Sequence, residues 1–238
     1  MRKTLFYLFL LGLYPAFAND SVLLSTQTIS ARIPIKSWKT LRDARIVKQD
    51  LDYSCGAASM ATILNEFYGQ EVTERELLDA MDKGDFYDRK VTEKELLEAM
   101  DKGDLRASFQ DMQRALPQFG FKAQGFAASY GQLAKLKIPV VVYLKHRKDD
   151  HFSVLRGIDG NTVWLADPSL GNRTFSKFQF LNMWETRKGE QDNADLSGKF
   201  LALLPIQSNI VSVEDFFTKT PKRQTAQAVE QLAIRRIP

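Results

Sequence analysis

The stretch QDLDYSCGAASM, residues 49 to 60, constrains the fold more than any other part of this 238-residue chain. It contains the only cysteine, Cys55, directly before a run of small residues. Apolar residues recur at three- and four-residue spacing from Ala57 to Phe67, and Gly69 stands where a C-terminal cap belongs, so the pattern predicts a helix that begins at Cys55. Because small side chains let neighbouring backbone approach closely, we expect this helix at the centre of the fold.

The first 18 residues have the pattern of a secretory signal peptide. Arg2 and Lys3 precede an apolar run over residues 5 to 13, and the tripeptide AFA before Asn19 has the small-x-small form of a cleavage site. The apolar run is shorter than the about 20 residues that a transmembrane helix needs. We therefore predict that residues 1 to 18 are removed on export and that the mature chain has no stable membrane span.

Charge and cysteine content limit which classes of function are compatible with the sequence. The chain has 33 basic and 29 acidic residues, a net charge of +4 that falls to +2 without Arg2 and Lys3, and the two signs are interspersed. This pattern predicts no nucleic-acid partner. A single cysteine cannot form an intramolecular disulfide, and a lone thiol in an oxidising compartment is a liability unless its reactivity is used.

One 14-residue sequence occurs twice in the chain. VTERELLDAMDKGD at residues 72 to 85 returns as VTEKELLEAMDKGD at residues 91 to 104, shifted by 19 residues. Each copy begins with a T-x-x-E capping box and closes on a glycine, which predicts a short capped helix in each. Two copies do not make a solenoid. We interpret residues 72 to 104 as an added helical hairpin on the surface, with a substrate-gripping role as the alternative.

Helical patterns come first in the chain and strand patterns follow. Another amphipathic helix is predicted at residues 108 to 121, ended by Gly120. Strands are predicted at residues 137 to 145, 151 to 158 and 161 to 167, and the last two flank Asp159-Gly160, a hairpin signal. This order predicts an α+β domain in which a helical N-terminal half packs on an antiparallel sheet.

The predicted domain has a flanking segment on each side. An extended N-terminal arm covers residues 19 to 46, and the α+β domain covers residues 47 to 185. Residues 186 to 238 begin with a polar stretch, continue with the strand pattern FLALLPI and end in a basic tail.

A nucleophilic cysteine needs a base, and the chain has two histidines. A helix N-terminus favours the thiolate because its unpaired N–H groups present partial positive charge. His146 lies in the charged turn KHRKDD, whereas His151 begins an apolar strand, so His151 is the better candidate. The alternative for Cys55 is a buried structural cysteine, the usual role of a single cysteine in a chain.

Asp167 and Gln49 are the candidate supporting residues. Pairing about a two-residue turn places His151 opposite residue 168, and a longer or bulged turn would bring Asp167 into register. A carboxylate there would accept the imidazole N–H and orient the ring, although an Asp-Pro after a strand is usually only a turn. Gln49 precedes Cys55 by six residues, near enough for its amide to share an oxyanion hole with the Cys55 backbone N–H.

Three segments together resemble the bacteriocin-processing, double-glycine leader peptidase family of papain-like cysteine peptidases. They are Gln49 with DYSCGAA, the pentapeptide HFSVL from His151, and DPSLG from Asp167, within a similarity that covers residues 47 to 185. The resemblance implies a papain-like fold, Cys55 as nucleophile, His151 as general base and acid, Asp167 as its orienting partner and Gln49 in the oxyanion hole. It implies no cofactor and no metal ion.

The chain also departs from the family pattern. Ser54 stands where family members commonly carry Asp, and the duplication is an insertion into the helical region. The best-known members are cytoplasmic domains fused to an ATP-driven exporter, whereas this chain shows a signal peptide and no transporter. It is therefore more similar to the stand-alone exported relatives that accompany secretion of functional amyloid fibres in Gram-negative bacteria.

These resemblances lead to one principal functional prediction. It is a periplasmic cysteine endopeptidase that processes an exported protein or peptide, such as a functional-amyloid subunit or a secretion component, through a Cys55 thioester. A non-proteolytic binding or chaperone module for an exported unfolded substrate is the alternative, and peptidoglycan hydrolysis by another papain-like lineage is a third hypothesis.

Overall fold

The computed structural model describes residues 21–25, 30–34, 36–82, 106–146, 149–187 and 196–222. The chain divides into two compact units, residues 1–41 and residues 42–238. Three sequence predictions lie outside the described residues: the signal peptide, the second copy of the duplication, and the basic tail beyond Lys222.

The first unit contains a small antiparallel hairpin. Strand β1 (Ser21–Ser25) pairs with β2 (Ser30–Pro34), with Ser21 opposite Pro34 and Ser25 opposite Ser30. This part of the segment predicted as an extended arm is therefore a pair of strands. Helix α1 (Trp38–Arg42) follows the hairpin in the chain.

The second unit is built on a six-stranded sheet in which every neighbouring pair is antiparallel. The strand order is β3-β8-β4-β5-β6-β7, and strands β4 to β7 follow one another as a meander. The strands are β3 (Phe121–Ala128), β4 (Val140–His146), β5 (Asp149–Ile158), β6 (Thr162–Asp167), β7 (Gly171–Ser176) and β8 (Gly198–Pro205).

Helices cover both faces of this sheet. The helices are α2 (Cys55–Glu66), α3 (Glu74–Ala80), α4 (Phe109–Ala115), α5 (Tyr130–Leu133) and α6 (Lys177–Trp184). Alternate residues of a strand point to opposite faces. Accordingly Val141 packs in one apolar cluster with α2, α3 and α4, whereas Val140 and Val142 pack in a second cluster with Phe180 and Trp184 of α6.

Helix α2 is the most deeply buried helix, as the small residues predict. All of its residues from Cys55 to Leu64 are buried, and it packs against β5. A Cβ atom at Gly56 would lie 2.4 Å from Cε of Met112 and 3.2 Å from Cβ of Ala107. A larger residue would force the buried Met112 side chain to move and would press on Ala107, so a glycine after the cysteine fits this packing best.

The first copy of the duplication is not a surface element. Its helix α3 has the predicted capping box, in which Thr73 and Glu76 satisfy each other's backbone N–H groups. However, Leu77 and Leu78 are 0% and 1% exposed and pack in the same apolar cluster as α2. The surface interpretation is therefore wrong for this copy, because its apolar face completes the core.

The hairpin between β5 and β6 is longer than predicted. Its loop spans residues 159 to 161 rather than two residues, and a bulge interrupts the pairing between Leu155 and Gly157. Asp159 causes the difference, since its side chain accepts hydrogen bonds from the N–H groups of Asn161 and Thr162, each at 2.7 Å. Such an Asx turn competes with the tight two-residue turn. Strands β3 and β7 and helices α1, α5 and α6 are additions to the predicted elements.

Among the described residues, no helix has the length and the apolar character that a bilayer-spanning segment requires.

Candidate active site

Cys55 is the first residue of α2 and lies at the edge of a cleft between the helices and the sheet. Its side chain and backbone are 8% exposed together, and the cleft of about 580 Å³ also contains Gln49 and His151. The first N–H groups of a helix lack partners within the helix. The thiol therefore lies where a helix terminus favours negative charge, as the sequence predicts.

His151 and Asp167 form a short, partly buried ion pair. Nε2 of His151 lies 2.8 Å from Oδ2 of Asp167, and their side chains are 23% and 7% exposed. The register explains this contact. Val154 pairs with Ala166, and the same register places Asp167 opposite Ser153. His151 is two residues from Ser153 along β5, so its side chain lies on the same face of the sheet and diagonally across from Asp167.

The Asp167 carboxylate is fixed from both sides. Oδ1 accepts the N–H groups of Ser169 at 3.0 Å and of Leu170 at 2.8 Å, while Oδ2 faces His151. Burial alone would raise the pKa of Asp167, but the bonds from His151 and the two backbone amides outweigh it and lower this pKa below the ordinary value. The carboxylate is consequently ionised and correctly turned to orient the imidazole.

The second ring nitrogen of His151 is left for the thiol. Nε2 bonds to Asp167, and Cys55 lies near enough to the ring to affect its pKa, so Nδ1 is the nitrogen that remains available to the thiol. Burial lowers the pKa of His151, but the opposing effects of Asp167 and Cys55 are larger. The pKa of His151 is therefore raised to about 10. The ring is therefore an imidazolium at neutral pH and lies in the same cleft as the thiol.

Gln49 lines the same cleft and connects its two sides. Its backbone N–H donates to the carbonyl of Pro168, next to Asp167, at 3.1 Å. Its side-chain Nε2 donates to the carbonyl of Leu51 at 2.9 Å, which leaves a second Nε2 hydrogen for another acceptor. Oε1 is buried without a partner among the described residues. The loop that precedes Cys55 is thus tied directly to the turn that carries Asp167.

The structure brings together all four residues that the sequence predicts for the site. For the other histidine, His146, only the backbone is described; it ends β4 and pairs with Asp149. The preference for His151 over His146 as the base therefore stays a prediction.

Aromatic and charged side chains form the rest of the cleft. Phe152 lies against Phe109 and Tyr143, with ring centroids 5.3 and 5.6 Å apart. The charged side chains of the lining are Asp52, Arg106, Asp150 and Lys199. Within the described residues no cluster of His, Cys, Asp and Glu is arranged to hold a metal ion.

Glu74 is a buried acidic residue that the sequence does not single out. It is 4% exposed, and its carboxylate accepts the N–H of Asp50, next to Gln49. In the sequence it is only the first helical residue of a repeat, where a glutamate normally favours the helix N-terminus from the surface. The T-x-x-E capping pattern assigns a role to Glu76 but none to Glu74.

Comparison with known proteins gives the family context. Residues 83–187, which include His151 and Asp167 but not Cys55, match the profile of the Peptidase C39 family. A relative from Pseudomonas fluorescens, "Probable functional amyloid protease FapD", is 32% identical over 186 residues, which are 77% of this chain and 76% of the relative. The relative of the same name from Pseudomonas aeruginosa is 32% identical over 150 residues, 63% of this chain, and the alignment spans only 61% of that relative.

Two solved structures are similar to this chain at lower sequence identity than the Pseudomonas relatives. The peptidase domain of Streptococcus ComA, a bifunctional ABC transporter of a quorum-sensing pathway, has a TM-score of 0.47 at 19% identity and covers 67% of this chain and 97% of that domain. A double-glycine motif protease from an AMS/PCAT transporter, solved with a leader peptide, has a TM-score of 0.42 at 19% identity and covers 67% and 90%.

The architecture and the comparisons agree with the sequence analysis. Helices packed on an antiparallel sheet confirm the predicted α+β class, and the family confirms the papain-like assignment and the prediction of a cysteine peptidase. The chain belongs to the peptidase C39 family.

Proposed function

We propose that this protein is a periplasmic cysteine endopeptidase that cleaves an exported protein through a thioester on Cys55. The observation that carries the proposal is the arrangement of Cys55, His151 and Asp167, with the His151–Asp167 contact at 2.8 Å and Gln49 in the same cleft. A nucleophile, a base and an orienting carboxylate in this order are the parts that thiol-dependent acyl transfer needs.

Acylation uses the preformed ion pair. The Cys55 thiolate attacks the carbonyl carbon of the scissile bond, and the negative charge moves to the carbonyl oxygen. The Cys55 backbone N–H and the free hydrogen on Nε2 of Gln49 would stabilise that oxyanion. When the tetrahedral intermediate collapses, the C–N bond breaks, the imidazolium of His151 gives its proton to the leaving amine, and a thioester remains.

Deacylation uses the same residues in the opposite sense. The now neutral His151 takes a proton from water as the water attacks the thioester carbonyl. Collapse of the second intermediate breaks the C–S bond, releases the carboxylic acid product and restores the thiolate–imidazolium pair. Asp167 keeps the ring in place throughout and stabilises the positive charge each time it forms.

The location and substrate class rest on different observations. The pattern of residues 1 to 18 supports export, and the two Pseudomonas relatives are named functional amyloid proteases. We infer that the substrate is an exported chain in an extended conformation, either an amyloid subunit or a secretion component. Because Cys55 is 8% exposed beside closely packed side chains, cleavage within a flexible Gly/Ala/Ser-rich segment is expected.

Mass spectrometry of exported proteins tests this function. Cells that produce the wild type should release protein termini that are absent from cells producing Cys55→Ala, while His146→Ala should give the wild-type termini. A peptide panel then tests specificity: Gly-Gly and Gly-Ala peptides should be cleaved, and peptides with bulky residues on both sides of the bond should not. If the wild type generates no new terminus but retains an exported protein equally well with Cys55→Ala, the binding or chaperone function is correct instead.

A further inference from the structure

The loop that precedes Cys55 is held from behind by a buried carboxylate on another helix. Residues 49–54 form neither helix nor strand, so hydrogen bonds rather than a regular ladder determine where Gln49 lies. Glu74, the first residue of α3, is 4% exposed, and its two oxygens lie 3.2 and 3.1 Å from the backbone N of Asp50. The side chain of Ser54 lies near the same carboxylate.

Glu74 thus holds the start of this loop by a hydrogen bond and lies near its end. Asp50 follows Gln49 directly, and Ser54 precedes Cys55 directly. Within the loop, the Ser54 hydroxyl donates to the carbonyl of Leu51 at 2.7 Å. Together these bonds fix the distance between the amide of Gln49 and the N-terminus of α2, which is the distance that an oxyanion hole made by both requires.

Glu74 is not needed to cap its own helix. The capping box of α3 is complete without it, because Oγ1 of Thr73 accepts the N–H of Glu76 and Oε2 of Glu76 accepts the N–H of Thr73. A carboxylate that is taken out of water costs free energy unless hydrogen bonds compensate. For Glu74 the compensating donor is the N–H of Asp50, which belongs to the loop before the nucleophile, so the carboxylate and the loop hold each other.

We propose that Glu74 is a positioning residue for the peptidase reaction: it fixes the loop 49–54 and thereby keeps Gln49 and the Cys55 N–H at the spacing that binds the oxyanion. This inference rests on the proposed function. It assigns to α3, the first copy of the duplication, a part in catalysis without any contact with substrate.

The test compares Glu74→Ala with Glu74→Gln and with the matched control Glu76→Ala on the same helix. Glu74→Ala should lower kcat by about 10- to 100-fold with KM changed less than about threefold, since a donor displaced by about 1 Å loses most of its effect in the transition state. Glu74→Gln should recover most of kcat, because its amide oxygen still accepts the N–H of Asp50. Glu76→Ala breaks the capping box and should lower thermal stability with kcat unchanged.

Two further readouts separate positioning from general loss of structure. Affinity for a peptide aldehyde, which forms an oxyanion on Cys55, should fall in Glu74→Ala in proportion to kcat, whereas alkylation of Cys55 by iodoacetamide should stay within about threefold of the wild type because the His151 contact is intact. Two results would overturn the proposal. One is that kcat, aldehyde affinity and the alkylation rate all fall by the same factor in Glu74→Ala; the other is an unchanged kcat in a folded Glu74→Ala protein.

Amide hydrogen exchange distinguishes this inference from the proposed function. The N–H of Asp50 should exchange faster in Glu74→Ala than in the wild type, whether or not any peptide is cleaved, and Glu74→Gln should restore part of the protection. An inactive wild type would contradict the proposed function, while unchanged exchange at Asp50 would contradict the role of Glu74 itself. If Glu74→Ala does not fold, the kcat of Glu74→Gln tests the proposal by itself. A kcat close to that of the wild type supports it, and a loss as large as 100-fold contradicts it, because the amide oxygen still accepts the N–H of Asp50.

Discussion

The two sides of the cleft are held in place by different means. On the sheet side, His151 and Asp167 lie on neighbouring strands, and the register of one hairpin brings them to 2.8 Å. On the helix side, Gln49 lies in a loop whose position depends on contacts with Pro168 and Glu74, both distant in the chain. Local strand pairing therefore determines the base, and long-range hydrogen bonds determine the surroundings of the nucleophile.

The largest expected effect concerns the sheet side. His151→Ala should lower kcat/KM by at least about 10³-fold, because without the imidazole neither the thiolate nor the leaving amine has its proton partner. His146→Ala is the matched control and should retain nearly full activity. Similar losses in both variants, measured with one peptide substrate, would show that the sheet side is not organised around His151.

Asp167→Asn should give a smaller but still large loss, about 10²- to 10⁴-fold in kcat, since the ring loses its orienting carboxylate while the nucleophile and base remain. The pH dependence should change as well. In the wild type the pKa of His151 is about 10, so the basic limb of the rate profile should lie near that value. In Asp167→Asn the limb should move to lower pH, and a limb that stays in place would mean that Asp167 does not support the charge.

The same pair makes stability depend on pH. The pKa of His151 is raised from 6.5 to about 10 in the folded protein, so its charge stabilises the fold fully below about pH 6.5 and this contribution is lost as the pH rises toward 10. The difference in free energy of unfolding between the wild type and Asp167→Asn should shrink over that interval. Denaturant melts at several pH values measure it, and a difference that grows with pH would have the wrong sign.

Gly171 shows that the sheet side also depends on one distant contact. It pairs with Asp167 at a φ of 85°, and a Cβ atom there would lie 2.7 Å from Cγ of Arg42 and from Oδ1 of Asp43. Gly171→Ala should therefore destabilise the fold by more than about 2 kcal/mol, through both backbone strain and crowding.

Two other glycines allow the effect of backbone strain to be measured separately from the effect of crowding. Gly69 has a φ of 64° but open space around it, so Gly69→Ala should cost about 1 kcal/mol. Gly160 has open space and no positive φ, so Gly160→Ala should stay within about 0.5 kcal/mol of the wild type. Equal effects at Gly171 and Gly69 would show that the contact with Arg42 and Asp43 is unimportant.

The smallest effect is expected from removing one copy of the duplication. Deletion of residues 72–90 joins Glu71 to Val91 and supplies the same helix from the second copy, with Glu93 in the place of Glu74. Deletion of residues 86–104 keeps the first copy, and the two products differ only at the positions of Arg75/Lys94 and Asp79/Glu98. Both should fold, with thermal midpoints within a few degrees of each other and similar kcat, whereas a loss of tens of degrees in both would mean that two copies are needed.

The sequence predicts the sheet side of the site better than the helix side. His151 and Asp167 are found because a strand pair with alternating apolar residues limits which side chains can meet. The exact register is missed because the Asp159 side chain lengthens the turn and a bulge shifts the pairing. The Glu74 contact is missed because nothing within α3 indicates that its first residue is buried, which depends on the packing of α3 against α2.

The pH dependence of Cys55 alkylation is the measurement that tests most directly whether Cys55 on the helix side interacts with His151 on the sheet side. If Cys55 and His151 form a thiolate–imidazolium pair, iodoacetamide should react at about pH 5 nearly as fast as at about pH 8, and His151→Ala should remove the fast reaction at the lower pH. A wild-type rate that rises steadily toward about pH 8.5, as for a free thiol, and that matches His151→Ala at every pH, would contradict the pair and show that Cys55 is a structural cysteine.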